Sequence, residues 1–474
     1  MAIGFGSYNI AKSGLYVNER ALDVTGHNIT NMNTPGYVRQ QAMIKNAPYQ
    51  TVSNNGNQLQ QLGLGADLQQ IRQIRNSFLD IMYRNENMTQ GYWEAKYKSV
   101  QDIESILVDP MKDGLQNVMN QFWDSWQELS KEPESLTVRA IVRQRGETLV
   151  NTINHMGSQL DKLVNDLSSE INVRINEVNK ITSQIAKLNG VIYSQEASGG
   201  TANDYRDQRN ILADKLTRLV NADITETQEG QLFVTVGGYS IVNQIKSTNL
   251  YIEKSNQGKL SHTPMIEGSG IKAPINNGLI KGLMDSVEEV EKVKDTLNTL
   301  VSAMAQEVNQ LHKSGKTAGE FPMDGEDFFV QAKSGSPLGM SNIKLNGNLK
   351  DLNNIVVSTL ESSGDNTVAL EIAALRNKPK INDKTGVLSM DEYYQAIILK
   401  VGQSGNEAFN ILQNQTKLVQ AADAKRQSLS SVSLDEEMSN MMKYKFAYDA
   451  SSRAFNAIDE IIDTLINRMG IVGR

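Results

Sequence analysis

The sequence predicts a mainly α protein with a β-rich domain inserted between its helices, α+β overall. Three observations lead there. The nine prolines leave the chain proline-free between Pro133 and Pro264 and again after Pro379, so nothing interrupts a helical hydrogen-bond ladder in either stretch. Apolar residues recur there, and near the N-terminus, at the three- and four-residue steps of one helix face. From Ile224 the apolar period drops to two and a glycine pair intervenes, which reads as strands and turns.

The first element is a helix begun near Ala2. Ile3, Ile10, Val17 and Val24 recur every seven residues, and so do Tyr8, Leu15, Leu22 and Ile29. At about 100° per residue the two lines lie roughly 140° apart. A terminal helix apolar on two sides is either deeply buried or packed on neighbours; one line suits the chain's own C-terminal helix and the other is left for something else. "NITNMNTPGYVRQ" then ends the helix. Pro35 pushes Thr34 out of helical geometry, and Pro35 and Gly36 fit the centre of a type II turn that delivers Tyr37. Asn28, Asn31 and Asn33 are expected to bond the freed helix-end carbonyls and to tolerate left-handed geometry. An ordinary helix stop explains the turn but not the run of asparagines, which marks a candidate hinge.

Leu149, Ile153, Met156, Leu160, Leu163 and Leu167 form a coiled-coil seam. The step falters between Ile171 and Ile181, a local change of supercoiling, and resumes at Ile185, Leu188 and Ile192. Gly199 and Gly200 stop this helix, and "DYRDQRNILADKLTRLVN" starts another. "QLFVTVGGYSIVN" reads as a hairpin turning on its Gly-Gly. A long amphipathic helix follows, ending at Gly315, then a Gly- and Pro-rich stretch and a strand-like "SNIKLNGNL". Residues 393–427 and 434–470 read as two further helices, with Ser433 as N-cap and Glu436 completing a capping box. Within the last, Leu434, Met441, Tyr448, Phe455, Ile462 and Met469 keep strict heptad spacing, with Tyr444, Ile458, Leu465 and Val472 on the companion seam.

The chemistry that the sequence excludes is as informative. A net charge of -7 without a Lys/Arg run argues against a nucleic-acid surface. With no cysteine, disulfides and thiolate-held metals are out. His27, His155, His262 and His312 are scattered, so no metal site is expected. The acids of "FPMDGEDFF" lack a calcium loop's alternating ligands, and Gly4 and Gly6 form a bare GxG without a strand before it. Asp204, Arg206, Asp207 and Arg209 fit a salt-bridged helix start better than an active site. No catalytic motif is found, and no cofactor is expected. No basic leader with an apolar core opens the chain, and no apolar run approaches the about 20 residues of a membrane span.

"SGLYVNERALDVTGHNITNMNTPGYVRQ" resembles the N-terminal motif of the flagellar rod, hook and hook-associated axial family. "SLDEEMSNMMKYKFAYDASSRAFNAIDEIIDTLINRMG" is similar to that family's terminal helix. "ANDYRDQRNILADKLTRLVNADITE" and "SSGDNTVALEIAALRN" are similar to its hook-associated junction members and not to its hook proteins. The resemblance implies paired terminal helices in a tube-forming domain (1–40 plus 434–474). It also implies a helical coiled-coil domain (41–222, 275–315 and 393–433) and a small β-rich outer domain (223–274 and 316–392). Residues 315–392 leave little room for the large outer domain of longer members. The implied role is a non-enzymatic junction between hook and filament, exported without a cleaved leader to the extracellular flagellum. The implied partners are further copies in a helical tube, the hook protein, the next hook-associated junction protein, and a cytoplasmic export chaperone on the C-terminal helix. Assembly contacts are expected from Ile3, Ile10, Leu15, Val17, Leu22, Val24 and Ile29, and from Leu434, Met441, Tyr448, Phe455, Ile458, Ile462, Leu465 and Met469. Another axial protein, hook or distal rod, and a helical scaffold outside flagella are the other readings.

Overall fold

The computed structural model of the chain describes residues 2–54, 58–108, 114–254, 260–318, 322–333, 335, 337–359, 364–383 and 386–468. In chain order, α1 (Ala2–Asn31) is followed by β1 (Gln40–Asn46), β2 (Tyr49–Asn54), β3 (Gln58–Gly63) and β4 (Ala66–Gln73). Next come α2 (Ser77–Val108), α3 (Leu115–Lys131), α4 (Leu136–Ala197) and α5 (Asn203–Leu219). The strands β5 (Ala222–Glu226), β6 (Leu232–Val236), β7 (Tyr239–Asn243), β8 (Lys246–Ser247), β9 (Leu250–Lys254) and β10 (Leu260–Ile266) precede α6 (Leu279–Lys313). Then follow β11 (Phe329–Gln331), β12 (Ile343–Leu345), α7 (Thr367–Ala374), β13 (Ile381–Asp383) and β14 (Gly386–Leu388). The last helices are α8 (Met390–Ser430) and α9 (Leu434–Asp463). All pairings are antiparallel: β5-β6-β7-β8 form one sheet, and the remaining strands form two-stranded ribbons. The mainly α class with a small β part is therefore the observed one. Residues 41–54 and 58–73, inside the range expected for the helical domain, lie in the ribbons β1–β4 and β2–β3 and their connections.

The chain folds into two compact units, one of Met1–Asn87, Val178–Asn249 and Thr416–Arg474, the other of Met88–Glu177 and Leu250–Gln415. In the first, the β6–β7 hairpin turns on Gly237 and Gly238, both at positive φ, the backbone a two-residue hairpin demands. Leu232, Val234, Val236, Ile241 and Val242 are its buried residues. In the second, α3 contributes Phe122, Trp123 and Trp126, all within 1% of full burial. Phe328 stacks 5.5 Å from Trp126 and 4.9 Å from Phe329, ring centre to ring centre. The two phenylalanines that end "FPMDGEDFF" are thus core, while its acids pair with Lys316, Lys313, Asn346 and Asn348.

The α4 seam is longer than its apolar residues suggest. Leu149, Ile153, Met156, Leu160 and Leu167 are buried and Leu163 half-buried. The buried line then runs through Ile171, Ile175, Val178, Thr182, Ile185, Asn189 and Ile192. Three consecutive four-residue steps, 163 to 167 to 171 to 175, cause the faltering, and polar Thr182 hides how early the alternation resumes. Asn189 is a polar member of the seam that docks the sheet: it donates to Leu232 O and Gln244 O and accepts from Leu232 N.

His312, at the end of α6, lies fully buried against Trp126 and Phe328. Its Nδ1 sits 2.5 Å from Glu326 O, and its Nε2 accepts the Val356 N–H at 3.1 Å. Burial holds its pKa down to about 4 despite nearby Glu326 and Asp327. A lowered base stabilises the fold fully above its unfolded pKa of about 6.5 and loses that contribution as pH falls toward the folded value. Urea unfolding followed by tryptophan fluorescence should therefore show a loss of about 3 kcal/mol between pH 6.5 and 4, at ~1.4 kcal/mol per pH unit. His312→Gln should flatten that pH dependence; an unchanged slope in the variant would refute the assignment.

Candidate assembly surface and the joint beneath it

The two ends of the chain pair. Asn28 bonds Glu437, a Cβ placed on Gly14 would touch Ser451, and Tyr8 packs 4.8 Å from Phe455. The falling partner numbers make α1 and α9 antiparallel. On α9, Met441, Tyr444, Tyr448, Ser451, Phe455, Ile458 and Ile462 are half-buried, and Glu437 is the one fully buried residue of the described helix. On α1, Val17 and Val24 are buried, Leu15, Leu22 and Ile29 half-buried, and Ile10 exposed. Ala66 N donates to Ser13 Oγ where the β1–β4 ribbon meets α1. The side chains of Ile3 and Leu465, and Met469 and Val472 altogether, lie outside the described residues.

The outer side of α9 is different. Leu434, Met438, Met442 and Phe446 are all exposed, Phe446 by 69%, and Ile461 and Ile466 continue the open apolar surface. Only Leu434 belongs to the expected set. The signal for the other three was a ladder of four-residue steps from Leu434, masked by the more regular heptads on the side facing α1.

Beneath the pair, the Asn-rich stretch is a fixed joint. Tyr37 N donates to Thr34 O at 3.1 Å and Gly36 has φ 76°, the type II turn that Pro35 and Gly36 predict. Asn31 Nδ2 caps His27 O at 3.0 Å, as a helix-end asparagine should, and its Oδ1 accepts from Thr34 Oγ1. Asn33 is exposed on the turn. Two expectations fail. No asparagine here takes left-handed geometry, since Gly36 alone supplies it in this stretch. Nor does Asn28 bond a helix-end carbonyl. Fully buried, it donates to Gln40 O (2.8 Å) and Glu437 Oε2 (3.0 Å) and accepts from Gln40 N (2.9 Å) and Tyr37 OH (2.8 Å). Every bond its amide can make is made.

Glu437 is held from the other side by Arg39, whose Nε donates to Oε1 at 2.7 Å while Nη1 reaches Glu436 at 2.7 Å. The expected capping box is therefore absent: Ser433 has N-cap backbone geometry but no side-chain cap bond, and Glu436 turns to Arg39. The joint extends into α5. Asp207 accepts from Val38 N and Gln73 Nε2, Asp204 from Gln40 Nε2, and Asn203 donates to Gln40 Oε1 and Ile71 O. Burial lifts Asp207 to about 7, against the Val38 N–H, Arg75 and Gln73, which favour its charged form. Arg206 and Arg209 instead bind Glu196, Glu226 and Asn189, so the charges of "NDYRDQRN" build a structural crossing. Among the described residues no cluster of His, Asp and Glu could hold a metal, and no helix is long and apolar enough to cross a membrane.

Replacing Asn28 by alanine orphans the buried Gln40 N–H and the Tyr37 hydroxyl and should cost about 2–4 kcal/mol. Gly36→Ala meets both a positive φ and Ile211 Cδ1, 2.4 Å from the new Cβ, and should cost at least about 1 kcal/mol. Chemical denaturation of each variant checks both values, and changes within error of zero would contradict the joint.

Known proteins match this architecture from end to end. The model of the flagellar hook-associated protein FlgK helical domain matches residues 100–329. The models of the flagellar basal body rod FlgEFG protein C-terminal region and of the flagella basal body rod protein match 426–469 and 9–37. Flagellar hook-associated protein 1 of Bacillus subtilis is 29% identical over 511 aligned residues, covering 100% of both chains. That of Escherichia coli is 23% identical, covering 97% of this chain and 99% of its own. The solved flagellar hook junction protein FlgK of Burkholderia pseudomallei shares the fold, with a TM-score of 0.63 at 14% identity over 75% of this chain and 100% of its own. With the terminal helices, the joint and the helical middle each matched, the chain is similar along its whole length to flagellar hook-associated proteins.

Proposed function

We propose that the chain is a structural junction component of the bacterial flagellum, polymerising at the hook tip and connecting hook to filament. The observation that carries this is the exposed apolar line Leu434–Met438–Met442–Phe446 on a helix pair built from both chain ends. In a tube, contacts repeat by rotation and rise, so each copy needs distinct faces for its neighbours. The α9 line and exposed Ile10 and Tyr16 on α1 are such faces. The joint fixes the helix pair to α5 and β4 of its own unit, so load on the pair reaches folded structure instead of a slack linker. The reading is structural and assigns no reaction to the chain.

Its partners on this reading are further copies, the hook protein below, the next hook-associated protein above, and an export chaperone that shields α9 before secretion through the flagellar apparatus. A hook or distal-rod role is the competing reading; the match of 100–329 to the hook-associated helical domain favours the junction.

Met442→Asp with Phe446→Asp changes exposed residues only, so the purified chain should keep its circular dichroism and melting temperature. Cells carrying it should bear hooks without filaments and shed flagellin into the medium. Normal filaments on such cells, seen by electron microscopy, would sink the junction reading.

A further inference from the structure

Donors and acceptors around the joint are matched so closely that the positions of individual protons follow. Asn28 Oδ1 can only accept. It takes the Gln40 N–H, and Tyr37 OH lies 2.8 Å away, so the phenol proton points to Asn28. The amide cannot be turned over, because its nitrogen serves Gln40 O and Glu437 Oε2. On the other side, the phenol oxygen lies 3.0 Å from His27 Nδ1, the two rings edge to face with centres 5.6 Å apart. Its own proton is spent, so this contact is a hydrogen bond only when Nδ1 carries one. A neutral His27 then has no proton for Nε2, which faces Asp204 Oδ2 at 3.7 Å. Two lone pairs oppose each other there.

Asp204 is itself held in place, its Oδ1 accepting from Gln40 Nε2 at 3.0 Å. The contacts therefore run from His27 to Tyr37, Asn28, Gln40 and Asp204 and back to His27. While the imidazole is neutral, one link of this ring is unmade. We infer that His27 is a proton-operated latch of the joint: a proton on Nε2 makes the missing link to Asp204 and ties the end of α1 to the start of α5. The step needs only a proton from solvent, and at 42% side-chain exposure the ring is open to it. The surrounding charges favour the imidazolium. Asp23 lies one turn back on α1, Asp204 and Asp207 belong to α5, and Glu437 lies across Asn28 on α9. Each of the nearby bases, Arg20, Arg39 and Arg75, is spent on an acid of its own. An imidazole changes charge between about pH 8 and about pH 5, so the joint tightens as the medium becomes acidic.

Histidine-selective 15N labelling of the full-length chain reads these protons by NMR, the His27 signals being those lost in His27→Gln. At about pH 8 the neutral ring should carry its proton on Nδ1. Tyr37→Phe removes the oxygen that holds it there and should move the proton to Nε2, facing Asp204. Amide exchange tests the mechanical half. Glutamine at position 27 keeps a donor for Tyr37 but cannot take up the second proton. At about pH 5 the amides of residues 37–40 should exchange about two- to fivefold more slowly in the native chain than in His27→Gln, the scale of a partly exposed ion pair. At about pH 8 the two chains should exchange alike. Asp207, which burial lifts to about 7, titrates over the same range, and comparing the two chains at each pH cancels its contribution. A neutral ring protonated on Nε2 in the native chain overturns the latch, whether or not either variant folds. So does a ratio of exchange rates that is the same at both pH values. Neither readout needs a flagellum, so its failure is separate from failure of the junction reading.

Discussion

The carboxylate of Glu437, at the first turn of α9, is buried with Asn28 on one oxygen and Arg39 on the other, and burying a charge without such partners costs several kcal/mol. Much of the first unit is arranged around that condition. Asn28 can serve because Tyr37 and Gln40 consume its acceptor, and Tyr37 arrives there because Pro35 and Gly36 turn the chain in so few residues. Arg39 in turn is set by its own backbone, which donates to Ser430 O at the end of α8 and accepts from Ile74 N after β4. The turn, the ribbon and two helices converge on one ion.

Elsewhere the molecule uses a milder form of the same device, in which a helix side chain takes over the backbone bonds of a loop or strand. Asn189 does this for β6, and Asn309 for Phe329, whose N–H and C=O it binds at 2.8 and 2.7 Å. Arg139 donates to the carbonyls of Pro133 and Ile355, and His312 joins Glu326 to Val356. Loops carry backbone donors and acceptors that must be satisfied when buried. These amides and rings let the irregular stretch after α6 lie against an aromatic core. Small sheets suffice because the helices supply part of the pairing that wider sheets would give.

Legibility in the sequence followed the physics of each feature. Helices with unbroken three-four spacing, the Gly-Gly hairpin and the Pro-Gly turn could be read directly, because local backbone preference and burial point the same way. The β1–β4 and β2–β3 ribbons could not. Their residues, such as "QQAMIKN" and "ADLQQIRQ", are polar and largely exposed, so they carry neither a buried alternation nor a β-rich composition. Thr182 and Asn189 were invisible for a related reason, since a polar residue at a core position is defined by a distant partner. The joint was half legible: the run of asparagines stood out, but Asn28 and Glu437 are 409 residues apart, and no spacing rule links them. The outward line on α9 needed to be told which side of the helix is inward.

The Gly14–Ser451 contact and the Asn28–Glu437 bond together make the pair of terminal helices a test of completeness. A chain broken anywhere between Arg39 and Glu437 still carries Gly14, Asn28 and Arg39, but presents a bare groove and unfilled donors where a partner helix belongs. Truncated products would therefore differ from intact ones at the chain's beginning as well as its end. A polymer that adds subunits through this pair would be proofreading each one for the presence of both its ends.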